Sequence, residues 1–239
     1  MTEQRRQSTQ ERPAGPRQGR LLARAAPGHP SEASSVTPGL QPLGLEEGRD
    51  GLLYIPVGYS PERPAPLALM LHGAGGNAHH GLGFFLDHAD TAGLILVSPE
   101  SRRATWDVIS GGYGPDVSYV DRALQLVFRR CAVDPAHVSV EGFSDGASYA
   151  LSLGLTNGDL FTHVIAFSPG FAAPADQRGA PRVYVSHGVH DDVLPIDRCS
   201  RRLVPLLQQA GYDTTYHEFD GPHTVPTDIV REGLTWFLG

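Results

Sequence analysis

Val138-Ser139-Val140-Glu141-Gly142-Phe143-Ser144-Asp145-Gly146-Ala147 is the stretch on which the fold turns. Its lead-in, Val138-Ser139-Val140, reads as a strand, and the apolar run from Ala147 to Leu155 reads as a packed helix. Between them, Gly142-Phe143-Ser144-Asp145-Gly146 matches G-x-S-x-G, a sharp strand-to-helix turn that aims a serine hydroxyl over the edge of a sheet. Glycines on both flanks let neighbouring backbone approach without Cβ clashes. In a chain with 28 glycines the five-residue pattern alone is weak; its place between a strand and a helix gives it weight.

Outward from this turn, short apolar runs alternate with longer helical patterns. The runs are Leu67–Leu71, Leu94–Ser98, Val138–Val140, Val164–Phe167, Val183–Ser186 and Tyr216–Phe219. Helices are expected near 80–92, 117–130, 145–156, 196–210 and 226–238, with Asp116 as an N-cap and Pro195 in a first turn. Ahead of them, Leu40, Leu43 and Leu45, the turn-like cluster 46–51 and then Leu52-Leu53-Tyr54-Ile55 predict a β-hairpin. Continuous apolar strands alternating with helices imply an α/β domain with a mostly parallel sheet covered on both faces. Ligands collect at the C-terminal ends of such strands, so the polar residues just after each run are the candidates for chemistry.

Four such places agree in order. Ser144 is the candidate nucleophile. His72-Gly73-Ala74-Gly75-Gly76 follows Leu67–Leu71, and its small residues leave backbone amides free to face an oxyanion, Ala74 and Asp145 being the candidate donors. His187-Gly188-Val189-His190-Asp191-Asp192 follows the fifth run and offers two carboxylates that could orient an imidazole. Asp220-Gly221-Pro222-His223 follows the last run, where a general base can reach the serine. Of the 11 histidines only His223 has both the right order and the right strand-end position; His72 precedes the serine and reads as a brace for its loop. Trp106 and Phe171, on loops after two other runs, either line a substrate pocket beside Gly75 or pack those loops onto the core.

Composition bounds the function. The 239 residues are 40% apolar with a net charge of -7, and all 19 basic residues are Arg. Residues 1–30 carry six Arg against two Glu, so the acidic surplus lies in the remainder, which argues against nucleic acid as a partner. Residues 1–35, rich in Arg, Pro, Gln and Ser, show no periodicity and are expected to be a disordered tail, leaving 36–239 as the catalytic domain. Arg5-Arg6 has no apolar stretch after it, and no run is long enough for a membrane span, so a cytoplasmic protein is expected. Cys131 and Cys199 are expected to be buried free thiols. No metal-ligand spacing occurs, and neither a metal nor a cofactor is expected. Nothing in the sequence fixes an oligomeric state.

On these segments, Leu71–Gly76, Gly142–Gly146, His187-Gly188 with Asp191, and Gly221-Pro222-His223, residues 38–239 resemble the α/β-hydrolase superfamily. The likeness is to small bacterial phospholipase/carboxylesterase-type proteins, akin to dienelactone hydrolases and polyhydroxybutyrate-depolymerase-like esterases. The resemblance implies a three-layer α/β-hydrolase fold and a Ser144-His223-Asp191 triad acting through an acyl-enzyme. It favours Asp191 over Asp192, and Ala74 as an oxyanion donor. The chain departs from many such relatives at Asp145, where Gln, Ala or Met is common; a carboxylate there disfavours anionic substrates such as phospholipids. Only about 15 residues separate Phe167 from Val183, too few for a helical lid domain. An open site suits short-chain or soluble carboxylic esters. Thioester hydrolysis, peptide cleavage, acyl transfer and a non-catalytic binding protein of the same fold are the alternatives.

Overall fold

The computed structural model describes residues 15–25, 30 and 36–239. Eight strands form one sheet: β1 (Gly39–Pro42), β2 (Gly51–Ile55), β3 (Ala65–Leu71), β4 (Ile95–Pro99), β5 (Val133–Phe143), β6 (His163–Phe167), β7 (Arg182–Gly188) and β8 (Thr214–Phe219). Their order is β1-β2-β4-β3-β5-β6-β7-β8. The hairpin of β1 and β2 is antiparallel and meets β4 antiparallel; every other pairing is parallel. Leu67, Leu69, Leu71, Val138, Val140, Val164 and Val183 are all fully buried, as strands covered on both faces require.

The helices are α1 (Ala78–Leu82), α2 (Ala89–Ala92), α3 (Pro115–Arg130), α4 (Asp145–Thr156), α5 (Ser200–Gln209) and α6 (Thr227–Leu238). Two cores result. Residues of α3, α4 and α5, such as Tyr119, Leu151 and Leu203, pack on one face of the sheet with Leu69 and Val140. Leu82, Ala89, Ile229 and Phe237, from α1, α2 and α6, pack on the other with Met70 and Ile165. No helix interrupts residues 168–181, so no lid lies between β6 and β7.

Three expectations differ from what is observed. The helix expected over 80–92 is broken into α1, a 3-10 turn at Leu86–His88, and α2. Gly81 and Gly83 depress helix propensity there, and Gly81 is held so close to β4 that a Cβ would lie 2.4 Å from Ser98 Oγ. Asp116 is not an N-cap: α3 starts at Pro115 after Gly114, and the Asp116 carboxylate caps a loop instead, accepting from the amides of Arg102 (2.5 Å) and Asp107 (2.7 Å). Pro195 stands ahead of α5, in an irregular turn closed by the Arg198 amide on Pro195 O.

The boundary at residue 35 also changes. Residues 15–25 lie along the body as a strap, with Leu21 fully buried and Ala23 nearly so. Arg20 clamps Asp159 with two hydrogen bonds of 2.8 and 3.0 Å and reaches Thr156 O at 2.6 Å. The Leu22 and Ala23 amides both donate to Asp121 Oδ1, while Asn157 exchanges bonds with Leu21 N and Gly19 O. Composition missed this because the strap's order comes from partners 98 to 139 residues away, not from any periodicity of its own. The remaining tail residues, 1–14, 26–29 and 31–35, lie outside those described. Among the described residues, no helix is long and apolar enough to cross a membrane, and both cysteines are free and buried.

Candidate active site

Ser144 stands between β5 and α4 with φ 58° and ψ -119°, a conformation that L-residues hold only when their surroundings over-determine it. The surroundings are visible in its glycine neighbours. A Cβ on Gly142 would lie 2.3 Å from the Gly146 carbonyl, and one on Gly146 would lie 2.2 Å from Leu71 O. Only glycine admits this crossing of β5, α4 and the end of β3. Ser168 is the other non-glycine with positive φ among the described residues (52°), at the end of the adjacent strand. The turn is pinned there: the Ser144 amide donates to Phe167 O, and the Ser168 amide to Ser186 O.

The structure brings Ser144, His223 and Asp191 together. The Ser144 hydroxyl lies 3.0 Å from His223 Nε2, and His223 Nδ1 lies 2.6 Å from Asp191 Oδ2. With Nδ1–H donating to the carboxylate, Nε2 is left to accept a hydrogen bond from the Ser144 hydroxyl. Asp191 is buried and saturated. Its Oδ1 accepts from the amides of Val193 (3.0 Å) and Leu194 (2.7 Å), and its Oδ2 also lies 3.2 Å from His187 Nε2. His187 is itself buried, with Nδ1 on the Ser200 hydroxyl and Nε2 on Leu194 O, and burial holds its imidazole below the usual value. Asp192 is exposed. His190 pairs instead with Asp220, 3.0 Å away and largely in solvent.

On the other side of Ser144, His72 is fully buried. Its Nδ1 donates to Gly73 O (2.7 Å) and its Nε2 accepts from the Ser101 amide (3.0 Å), the bracing role the sequence implies. Burial keeps this imidazole below its usual value, hence neutral. Within the loop it braces, the Gly75 amide is taken by Ala104 O at 2.7 Å. The Ala74 and Asp145 amides have no protein acceptor among the described residues; Asp145 directly follows the serine, and Ala74 follows Gly73, where a Cβ would lie 3.6 Å from Ser144 Cβ.

A cavity of about 660 Å³ opens next to this group. Gly73, Ala74, Gly75, Phe84, Phe143, Val225 and Val230 line it, with His79, His80, Asp87 and His88 contributing polar groups. Gly73 separates it from the serine by a single residue's thickness: a Cβ there would lie 3.6 Å from Ser144 Cβ. Gly75 belongs to this lining, whereas the other two pocket candidates do not. Trp106 is fully buried, stacked on Tyr149 at 5.0 Å and donating its indole N–H to His72 O at 2.8 Å. It is a core residue because its one polar atom has an internal acceptor. Phe171 is 37% exposed on the 168–181 connection and lines no part of this cavity. Sequence reasoning missed Phe143, although it is the variable residue of the serine motif itself, and Phe84, which lay in a segment read as a regular helix. Among the described residues, no group of three or more His, Cys, Asp or Glu side chains is arranged to hold a metal ion.

The sheet order, the helices on both faces and the strained serine turn define the class: a three-layer α/β-hydrolase fold. The chain belongs to the esterase family described as "Putative esterase", which matches residues 44–227. Feruloyl esterase C of Emericella nidulans is 30% identical over 158 residues, covering 63% of this chain but only 57% of that protein, so the chain spans little more than half of its relative's length. Among solved structures, esterase PE8 superposes with a TM-score of 0.64 at 24% identity, covering 78% of this chain and 96% of that one. The ferulic acid esterase AmCE1/Fae1A of Anaeromyces mucronatus gives a TM-score of 0.60 at 16% identity, covering 92% and 96%. At these identities the structural likeness is one of fold.

Proposed function

We propose that the chain is a carboxylic-ester hydrolase that works through an acyl-enzyme on Ser144. The observation that carries the reading is the unbroken relay from Asp191 Oδ2 through His223 to Ser144 Oγ, at 2.6 and 3.0 Å. In this mechanism Ser144 Oγ attacks the ester carbonyl carbon as its proton passes to His223 Nε2. The negative charge that develops on the carbonyl oxygen is met by the Ala74 and Asp145 amides, neither of which has a protein acceptor among the described residues. The carbon–oxygen bond to the alcohol then breaks, and the alcohol leaves with the proton from His223. Water repeats the sequence on the acyl-enzyme, releasing the acid and restoring the serine. Asp191 holds the imidazole in the Nδ1–H tautomer and supports its positive charge. Each cycle starts with His223 Nε2 free to accept the serine proton.

The cavity beside Ser144 receives the apolar arm of the substrate. Its walls of Phe84, Phe143, Val225 and Val230 suit a ring or short chain, and its volume and open mouth suit a soluble ester rather than a long-chain lipid. The fungal relatives' names point the same way, to feruloyl esters. The test is hydrolysis of methyl ferulate and of p-nitrophenyl esters from acetate to palmitate, together with fluorophosphonate labelling. Wild-type protein is labelled at Ser144 and favours the short or aromatic esters; Ser144→Ala and His223→Ala fold normally and lose turnover by about three or more orders of magnitude. Full labelling of Ser144→Ala, or preference for palmitate, overturns the assignment.

A further inference from the structure

The segment Ser101–Asp107 touches both halves of the proposed oxyanion site. On one side it holds the His72–Gly76 loop three times, through Ser101 N on His72 Nε2, Trp106 Nε1 on His72 O, and Gly75 N on Ala104 O. On the other it reaches the residue after the nucleophile: the Thr105 hydroxyl donates to Asp145 Oδ2 at 2.6 Å. The segment is fixed from behind by a reciprocal pair of carboxylates. Asp116 accepts from the Arg102 and Asp107 amides, and Asp107 accepts from the Gly114 and Asp116 amides.

From this arrangement we propose that Thr105 is a positioning residue that holds the Asp145 carboxylate away from the developing oxyanion. The proposal rests on the reading of Ser144 as nucleophile and of the Asp145 amide as an oxyanion donor. The chemistry follows from placing a donor and an acid on one residue. The Asp145 amide stabilises negative charge, while the carboxylate of the same residue opposes it from a few ångströms away. Rotation about the Asp145 side chain decides which effect prevails. Thr105 fixes that rotation by spending the hydroxyl proton on Oδ2. Half-burial of both residues keeps the bond from being exchanged freely for water.

The experiment is a double-mutant cycle on p-nitrophenyl butyrate hydrolysis. Thr105→Val keeps the shape and removes the donor. It lowers kcat about ten- to a hundredfold and leaves KM within roughly threefold, since the penalty falls on the transition state. Thr105→Ser restores kcat to within about threefold of wild type. In Thr105→Val/Asp145→Asn the released side chain is neutral, and kcat returns to within about threefold of Asp145→Asn alone. A purely structural role for Thr105 gives the same loss in both backgrounds and overturns the proposal, as does a Thr105→Val variant that turns over at the wild-type rate. Fluorophosphonate labelling separates the two levels. Wild-type protein left unlabelled at Ser144 removes the parent reading and this one with it, whereas normal labelling with an unaffected Thr105→Val removes this one alone. Should Thr105→Val fail to fold, Thr105→Ser against Thr105→Ala, each with and without Asp145→Asn, gives the same decision.

Discussion

Asp191 receives hydrogen bonds from two backbone amides and contacts from two imidazoles, and the four together fix the carboxylate rather than merely place it. An Asn at this position replaces one oxygen by an NH2 group where the site presents only donors, so either the Val193 and Leu194 contacts or those of His187 and His223 are lost, unless the His223 tautomer is reversed. Asp191→Asn therefore lowers kcat by about 10³–10⁴, whereas Asp192→Asn, on an exposed side chain, stays within roughly twofold. Steady-state kinetics on the two folded variants decides it; the opposite ranking exchanges their roles. Ser144, His223 and the loop holding Asp191 and Asp192 were legible in the sequence because each follows a recognisable apolar strand, and strand ends are where a parallel sheet gathers side chains; the choice of Asp191 over Asp192 came from the family resemblance. Thr105 and Ser101 carried no such signal. Their importance lies in hydrogen bonds to residues 40 and 29 positions away, which no local pattern encodes. Trp106 misled for a related reason: an aromatic residue after a strand is equally compatible with a pocket wall and a core stack until its indole acceptor, His72 O, is known.

At the scale of elements, α4 links two unlike places. Its N-terminus carries the serine turn, and its C-terminus, at Thr156 and Asn157, carries the strap of residues 15–25. Twelve residues at 1.5 Å each set these ends about 18 Å apart. The strap accordingly acts on stability rather than on chemistry. Leu21 is fully buried in the α3/α4 core, and Leu21→Ala costs about 2–5 kcal/mol, lowering Tm by roughly 5–10 °C. Deleting residues 1–25 lowers Tm at least as far, while kcat/KM of the folded fraction stays within about twofold. Thermal melts and kinetics on the same preparations check both halves; a large loss of kcat/KM without a loss of Tm refutes the division. Acid adds a signature. The Arg20 hydrogen bond, aided by Arg24, holds the Asp159 carboxyl down at about 2, so the strap's contribution is complete above the ordinary carboxylate value and is lost as pH falls towards 2. The strands and longer helices were legible because burial on both faces writes continuous apolar runs. The broken segment 78–92 was not, because apolar spacing of helical period persists past Gly83 while the α-helical backbone stops at Leu82.

Across the whole molecule, two buried ionisable groups on the α6 side of the sheet set opposite slopes of stability with pH. His163, at the start of β6, packs edge-on against Trp236 and Phe237, and burial, with Arg182 and His137 nearby, pulls its imidazole down to about 4. A histidine depressed in the folded state contributes stability that is complete above its unfolded value near 6.5 and is lost as pH falls through about 4, a span worth about 3 kcal/mol. Glu141, three residues before Ser144, lies between Met70 and Ile165 on neighbouring strands. It is fully buried, neither carboxyl oxygen has a partner, and burial pushes its pKa well up. An acid raised in the folded state gives the reverse sign: the fold retains a proton that the unfolded chain releases, so stability is highest below about 4.5 and falls as pH rises. Glu141→Gln, neutral at every pH, therefore raises Tm by several degrees at pH 8 and by less at pH 5. His163→Leu removes the loss between pH 6.5 and 4 and leaves the alkaline slope intact. The two groups lie two register positions apart on the same face of adjacent strands, Glu141 opposite Ile165 and His163 opposite Ser139, so the double variant flattens the profile from both ends with a coupling that the four-protein cycle measures. Calorimetric Tm values from pH 4 to 9 on the four proteins test this. A Glu141→Gln advantage that does not grow with pH means that the carboxyl is already ionised in the fold, and the buried acid then plays no part in the alkaline limit.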